Sequence, residues 1–155
     1  MKRVLSFFFV LCLLMTLVVL PSQAAGSGTI SVSSVDNALA GSTVELTVSI
    51  SDNPGVNVIS LQINYDTSKL EMVEYKQLGN PSAWLVSTAA NWSASDFENY
   101  TFTGDILTLK YRVIEDVSGT AAVSVTVDAV DADANEVEFN VVPGNITITH
   151  EHIWD

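Results

Sequence analysis

From Ile30 onward apolar and polar residues alternate almost without a break. Val44, Leu46, Val48 and Ile50 interleave with Glu45, Thr47 and Ser49; Ile59, Leu61, Ile63 and Tyr65 with Ser60, Gln62 and Asn64; Leu107, Leu109, Tyr111 and Val113 with Thr108, Lys110 and Arg112. The same period runs through Val123, Val125 and Val127, through Val137, Phe139 and Val141, and through Ile146 and Ile148. Successive side chains of a strand leave opposite faces, so each run predicts a strand with one packed and one solvated side. No window in this stretch carries a helical stripe, and half-buried strands of this length are the mark of antiparallel sheets.

Turn formers stand between the runs at Ala40-Gly41, Asp52-Asn53-Pro54-Gly55, Gly79-Asn80-Pro81, Thr103-Gly104-Asp105, Ser118-Gly119 and Pro143-Gly144-Asn145. Eight or nine strands at this spacing predict an all-β, two-layer sandwich, with jelly-roll and immunoglobulin-like wiring both open. The least regular part is Gln77 to Phe102, where weak strands near Ala83 to Thr88 and Asn91 to Ser95 precede an acidic, aromatic loop.

The first residues follow another rule. Lys2 and Arg3 precede seventeen residues, Val4 to Leu20, broken only by Ser6 and Thr16, and Ser22 and Ala24 then supply small residues for cleavage. Residues 1–25 therefore read as a secretory signal peptide, with an uncleaved anchor as the alternative. Cys12, the one cysteine, lies inside the apolar run, so the mature chain is expected to hold no disulfide and to rely on packing. Residues 26–149 then form one domain, and 150–155 a short C-terminal tail whose HEHIWD also reads as the start of a linker, leaving a fragment of a larger scaffold and a free-standing adaptor both open.

Loss of Lys2 and Arg3 takes the formal charge from −12 to −14, with Lys69, Lys76, Lys110 and Arg112 facing eighteen carboxylates. This balance argues against nucleic acid as a partner and against membrane attachment after signal cleavage, since both need a positive field.

Catalytic constellations are missing. The two histidines, His150 and His152, fall after the last predicted strand, and there is no nucleophile elbow, phosphate loop or HExxH. We expect no enzyme, no catalytic residue and no cofactor. His150, Glu151, His152 and Asp155 form at most a frayed terminus rather than a metal site. Asp128, Asp131, Asp133, Asn135 and Glu136 crowd one turn with oxygen ligands, but an EF-hand would need glycine at Glu136 and glutamate at Val142, which leaves only a looser calcium loop to consider. Trp84, Trp92, Tyr100 and Trp154 offer either a sugar-binding platform or core filling. The sequons at Asn91, Asn99 and Asn145 matter only in a glycosylating host.

The stretch AGSTVELTVSISDNPGVNVISLQINYDTSKLEMVEY, then TGDILTLKYRV, then ANEVEFNVVPGNITIT, resembles the cohesin domain family in order and spacing from Thr29 to Thr149. The most telling piece is ISLQINYDTSKL, a strand followed by Tyr65-Asp66, a short turn and Leu70. The resemblance implies a nine-stranded antiparallel jelly-roll sandwich that acts without chemistry, docking the dockerin modules of polysaccharide-degrading enzymes on one sheet face. The outward residues implied as partner-binding are Ser60, Gln62 and Asn64, with Ser124 and Thr126 across the sheet. One departure stands out: dockerin-binding cohesins often place Asn and Asp where this chain has Val58 and Ser60, so charge-assisted contacts from this strand are weaker.

The expected function is thus a secreted, non-catalytic cohesin-like module, extracellular or on the cell surface, whose partner is a dockerin-bearing protein in a polysaccharide-degrading or surface assembly. The alternative is a β-sandwich that holds polysaccharide directly through Trp84, Trp92 or Tyr100; a structural spacer is a third reading.

Overall fold

Alternating runs can bury their apolar sides only by stacking two sheets face to face, and the chain does so. A computed structural model describes residues 27–78, 85–86 and 89–149. The predicted leader with Cys12, the turn at Gly79-Asn80-Pro81, Trp84 and the closing HEHIWD lie outside the described residues.

The strands are β1 (Gly28–Val32), β2 (Val35–Leu39), β3 (Thr43–Ser51), β4 (Val58–Tyr65), β5 (Leu70–Gln77), β6 (Leu85–Val86), β7 (Ala89–Ser93), β8 (Gly104–Val113), β9 (Gly119–Val130), β10 (Phe139–Val142) and β11 (Gly144–Thr149). A five-stranded sheet has the order β10-β1-β3-β8-β5, and a six-stranded sheet the order β2-β11-β9-β4-β7-β6. Leu46, Val48 and Ile50 of β3, Leu107, Leu109 and Tyr111 of β8, Ile59 and Leu61 of β4, and Ile146 of β11 meet between the sheets at 2 % exposure or less.

The sandwich is the expected one, with three differences of detail. The strand count exceeds nine because β6 has only two residues and because β2, VDNAL, buries a single residue and so shows no alternation. The last apolar run is divided: Glu136 bridges back to Val130 and Val137 donates its amide to the Ala129 carbonyl, whereas Phe139 to Val142 pair with β1 in the other sheet. The chain changes sheets between them. Finally, β1 with β10 and β2 with β11 pair in parallel, while the other ladders among the described residues are antiparallel.

Those two parallel ladders share a cause. The first and last strand pairs cross from one sheet to the other side by side, through Ser33-Ser34 and through Pro143. Ser34 Oγ accepts the Asn145 amide at 3.0 Å at this crossing, and a Cβ on Gly144 would lie 2.1 Å from the Ser33 carbonyl oxygen. Only glycine lets the two crossings come this close.

Candidate functional site

The outer face of the six-stranded sheet gathers every predicted partner-contacting residue. β4 pairs with β9 so that Ser60 faces Asp128, Gln62 faces Thr126 and Asn64 faces Ser124; on its other edge Val58 faces Ser93 and Ser60 faces Asn91 of β7. Directly opposed residues have Cβ atoms about 5 Å apart, so these side chains form one continuous field rather than separate patches. Gln62, Asn64, Thr126, Asp128, Asn91 and Ser93 are exposed, and Ser60 and Ser124 half-buried. Ser124 and Thr126 are therefore the immediate neighbours of β4, not residues on a distant strand.

Hydrogen bonds order the centre of this field. Asn64 Nδ2 donates to Thr126 Oγ1 at 2.9 Å and to the Gln62 carbonyl at 3.3 Å, and Asn91 Nδ2 donates to the Ala89 carbonyl at 3.3 Å. Short hydroxyl and amide side chains held this way lose little further entropy when a second surface covers them. No lysine or arginine occurs between Gln77 and Leu109, and β4 and β9 carry none either. Lys110 and Arg112 lie on the outer face of the other sheet, where they meet Glu74 at 3.9 Å and Glu71 at 2.9 Å as solvent-exposed pairs. The two outer faces thus differ in kind: one is charged and self-paired, the other small and polar, with no lysine or arginine on β4, β7 or β9.

The connection from β7 to β8 is fastened beneath one end of this face. Asn53 is buried; its Nδ2 donates to the Tyr100 and Phe102 carbonyls at 3.2 and 3.1 Å, and its Oδ1 accepts the Gly55 amide at 3.0 Å. Gly55, at φ 117°, could not be replaced by a side-chain residue without strain. Asn57 Nδ2 donates to the Asp96 carbonyl at 2.7 Å and the Glu98 carbonyl at 2.9 Å, just before Val58 opens β4. Trp92 is only 7 % exposed, with ring centroids 5.4 Å from Tyr100 and 5.0 Å from Phe102.

Burial of Trp92 decides between its two readings in favour of core filling: its outward neighbours on β7 are Asn91 and Ser93, and the indole packs inward. Tyr100 is half exposed, but its hydroxyl is bonded to the Asp96 carboxylate at 3.0 and 3.2 Å, which raises the phenol above its ordinary pKa.

The acidic turn also differs from its sequence reading. Asp128 is not part of the turn; it lies within β9, on the outer face. Asp131 instead folds the turn around itself, its Oδ1 accepting the Asp133 and Asn135 amides at 2.9 and 2.8 Å and its Oδ2 accepting Asn135 Nδ2 at 3.0 Å. These bonds, those from Asn135 foremost, hold the Asp131 carboxyl below the usual Asp value. The carboxylate is occupied by the loop's own donors, and no three metal-ligating side chains converge among the described residues. Asp66 does the same at the Tyr65-Asp66 corner, accepting both the hydroxyl and the amide of Ser68 at 2.6 and 3.0 Å, which lowers its pKa.

Comparison with known proteins agrees with this fold. A family model described as the cohesin domain matches residues 28–149. No curated protein matches the chain. Among solved structures, the sixth cohesin of scaffoldin B from Acetivibrio cellulolyticus, determined in complex with a Cel5 dockerin, is 18 % identical; the match covers 80 % of this chain and 100 % of that one, at a TM-score of 0.65. The OlpA cohesin of Clostridium thermocellum, solved with the dockerin Doc918, is 22 % identical over 80 % and 100 % of the two chains at 0.63. A non-cellulosomal cohesin from the archaeon Archaeoglobus fulgidus is 21 % identical over 80 % and 92 % at 0.61. At these identities the likeness is one of fold.

Proposed function

The chain belongs to the cohesin domain family, and from that premise we propose that it is a non-catalytic recognition module that docks a dockerin-bearing protein on the outer face of β4, β9 and β7. One observation carries the reading. The register of β4 with β9 joins Ser60, Gln62, Asn64, Ser124 and Thr126 into a single uncharged field, on the sheet face opposite to the one that carries the ion pairs.

The departure at Val58 and Ser60 is answered by the same register. Asp128 stands directly across from Ser60, so a carboxylate returns to that row from the neighbouring strand. Charge-assisted hydrogen bonds to a partner are then available from β9 in place of β4. A partner covering about 800 Å2 fits a face of this many short strands.

Residues 1–25 act in this reading as a secretory signal, and the module works outside the cell or at its surface, in a polysaccharide-degrading or surface-attached assembly. Two cohesins of this fold were solved with dockerins bound, which supports a dockerin as partner, while the archaeal relative is described as non-cellulosomal.

The test is a titration of the mature domain against the dockerin modules encoded by the same genome, beside a pull-down on insoluble polysaccharide. Docking is expected with at least one dockerin, and Gln62→Arg is expected to weaken it by about 100-fold, since a long cation would be buried in the interface without a partner. The melting temperature should stay put because Gln62 is exposed. Binding to polysaccharide with no dockerin bound overturns the reading.

A further inference from the structure

Phe97 is 92 % exposed, by far the most exposed large apolar residue of the described chain. A lone apolar residue on a surface is ordinary, and exposure by itself identifies nothing. What sets Phe97 apart is how firmly its backbone is held. Asn57 Nδ2 grips the carbonyls on both sides of it, those of Asp96 and Glu98. The Asp96 side chain accepts the Glu98 amide at 3.3 Å, closing an Asx-turn with Phe97 as its middle residue, and the same carboxylate is tied to the Tyr100 hydroxyl. The Ala94 amide donates to the Asn57 carbonyl at 2.8 Å, so the turn is locked to the start of β4 at both ends. An aromatic side chain with only two rotatable bonds, displayed on a pinned turn, is already ordered for contact.

The position borders one end of the docking face, where the chain leaves β7 and crosses to β8 in the other sheet. Asn57, which holds the turn, immediately precedes Val58, itself 39 % exposed, and Ser60 follows roughly 10 Å along the strand. Charge indicates what lies opposite: Asp96 and Glu98 flank Phe97, Asp128 faces Ser60, and no lysine or arginine lies on β4, β7, β9 or the connection that carries Phe97.

Resting on the docking reading above, we propose that Phe97 is the apolar anchor of that interface. It seats in an apolar recess of the same dockerin module that covers β4 and β9, and that recess is bordered by Lys or Arg side chains that meet Glu98 and Asp128. Anchors of this type sit in a pocket that excludes water and carry most of the energy of an interface, while the polar field around them sets register and excludes wrong partners.

The experiment measures the affinity of the full mature domain for the dockerin modules of the same genome by calorimetry, with Phe97→Ala, Phe97→Leu, Glu98→Gln and Gln62→Arg alongside. Phe97→Ala should weaken binding about thirty-fold and Phe97→Leu far less, with melting temperatures unchanged because the side chain packs against little. Glu98→Gln should slow association at low salt and match the parent at high salt. If Phe97→Ala stays within twofold while Gln62→Arg abolishes binding, the anchor is overturned and the docking face stands. If neither substitution alters binding, or no dockerin binds the parent domain, both are overturned. Loss of a concentration-dependent dimer in Phe97→Ala, with dockerin affinity intact, would assign the residue to self-association and overturn the anchor as well.

Discussion

Tyr111 lies in the middle of β8 with its ring 5.0 Å from that of Tyr65, and its hydroxyl is fully buried with no hydrogen-bond partner among the described residues. Burial, with a smaller contribution from Tyr65, pushes its phenol far up, so the group stays neutral across the working range. A buried hydroxyl without a partner costs about 1–3 kcal/mol, and removing it leaves the ring packing in place. Tyr111→Phe should therefore melt at the same temperature as the parent or higher; a clear loss of stability would show that the hydroxyl is bonded after all. Single residues were also where the sequence was hardest to read. Asp128 sits among five acidic or amide residues near one turn, and only the pairing of β9 with β4 separates it from Asp131. Alternation around Trp92 is compatible with either side facing in, because Ala90 and Trp92 are as apolar as a platform would be; the indole is settled by Tyr100 and Phe102, which arrive from eight and ten residues further on.

Among the elements, β3, β4 and β11 follow their alternation closely, because each has one face in the core and one in water. β8 begins earlier than its alternating run, since Ile106 and Leu107 are both buried. The register shift opposite Val48 and Ser49 inserts one extra residue there, and such a bulge lets two consecutive side chains serve the core. β2 escaped notice for the opposite reason. As an edge strand it buries only Ala38, and Asn37 at φ 58° interrupts its extended course. The crossings beside Gly144 were visible as a Pro-Gly-Asn turn signal, but their close approach depends on Ser33, more than a hundred residues earlier. Gly144→Ala should cost about 3 kcal/mol in urea unfolding, since the new methyl would strike backbone that cannot swing aside. A loss below about 0.5 kcal/mol would mean that the two crossings are free to separate.

At the scale of the molecule, charge is sorted by face. Lys76, Lys110 and Arg112 belong to β5 and β8, so the outer side of the five-stranded sheet holds cations and their carboxylate partners, whereas β4, β7 and β9 carry no lysine or arginine. Net charge read from the sequence argues against nucleic acid as a partner but cannot see this sorting, which depends on which strands share a sheet. The five residues predicted to meet a partner were legible because β4 has a clean period of two and because the resemblance pointed to its outward side. Asn91 and Ser93 were not, since their place on the same face follows from β7 pairing with β4, and the pinned display of Phe97 follows from the hold of Asn57 on the next loop. Whether this face docks a partner is read out by amide chemical-shift mapping of the labelled domain titrated with a dockerin from the same genome. Shifts should concentrate at Ser60, Gln62, Asn64, Asn91, Ser124, Thr126 and Asp128, and extend to Phe97. Shifts clustered instead at Lys110, Arg112 and Glu71, on the opposite face, would contradict docking here.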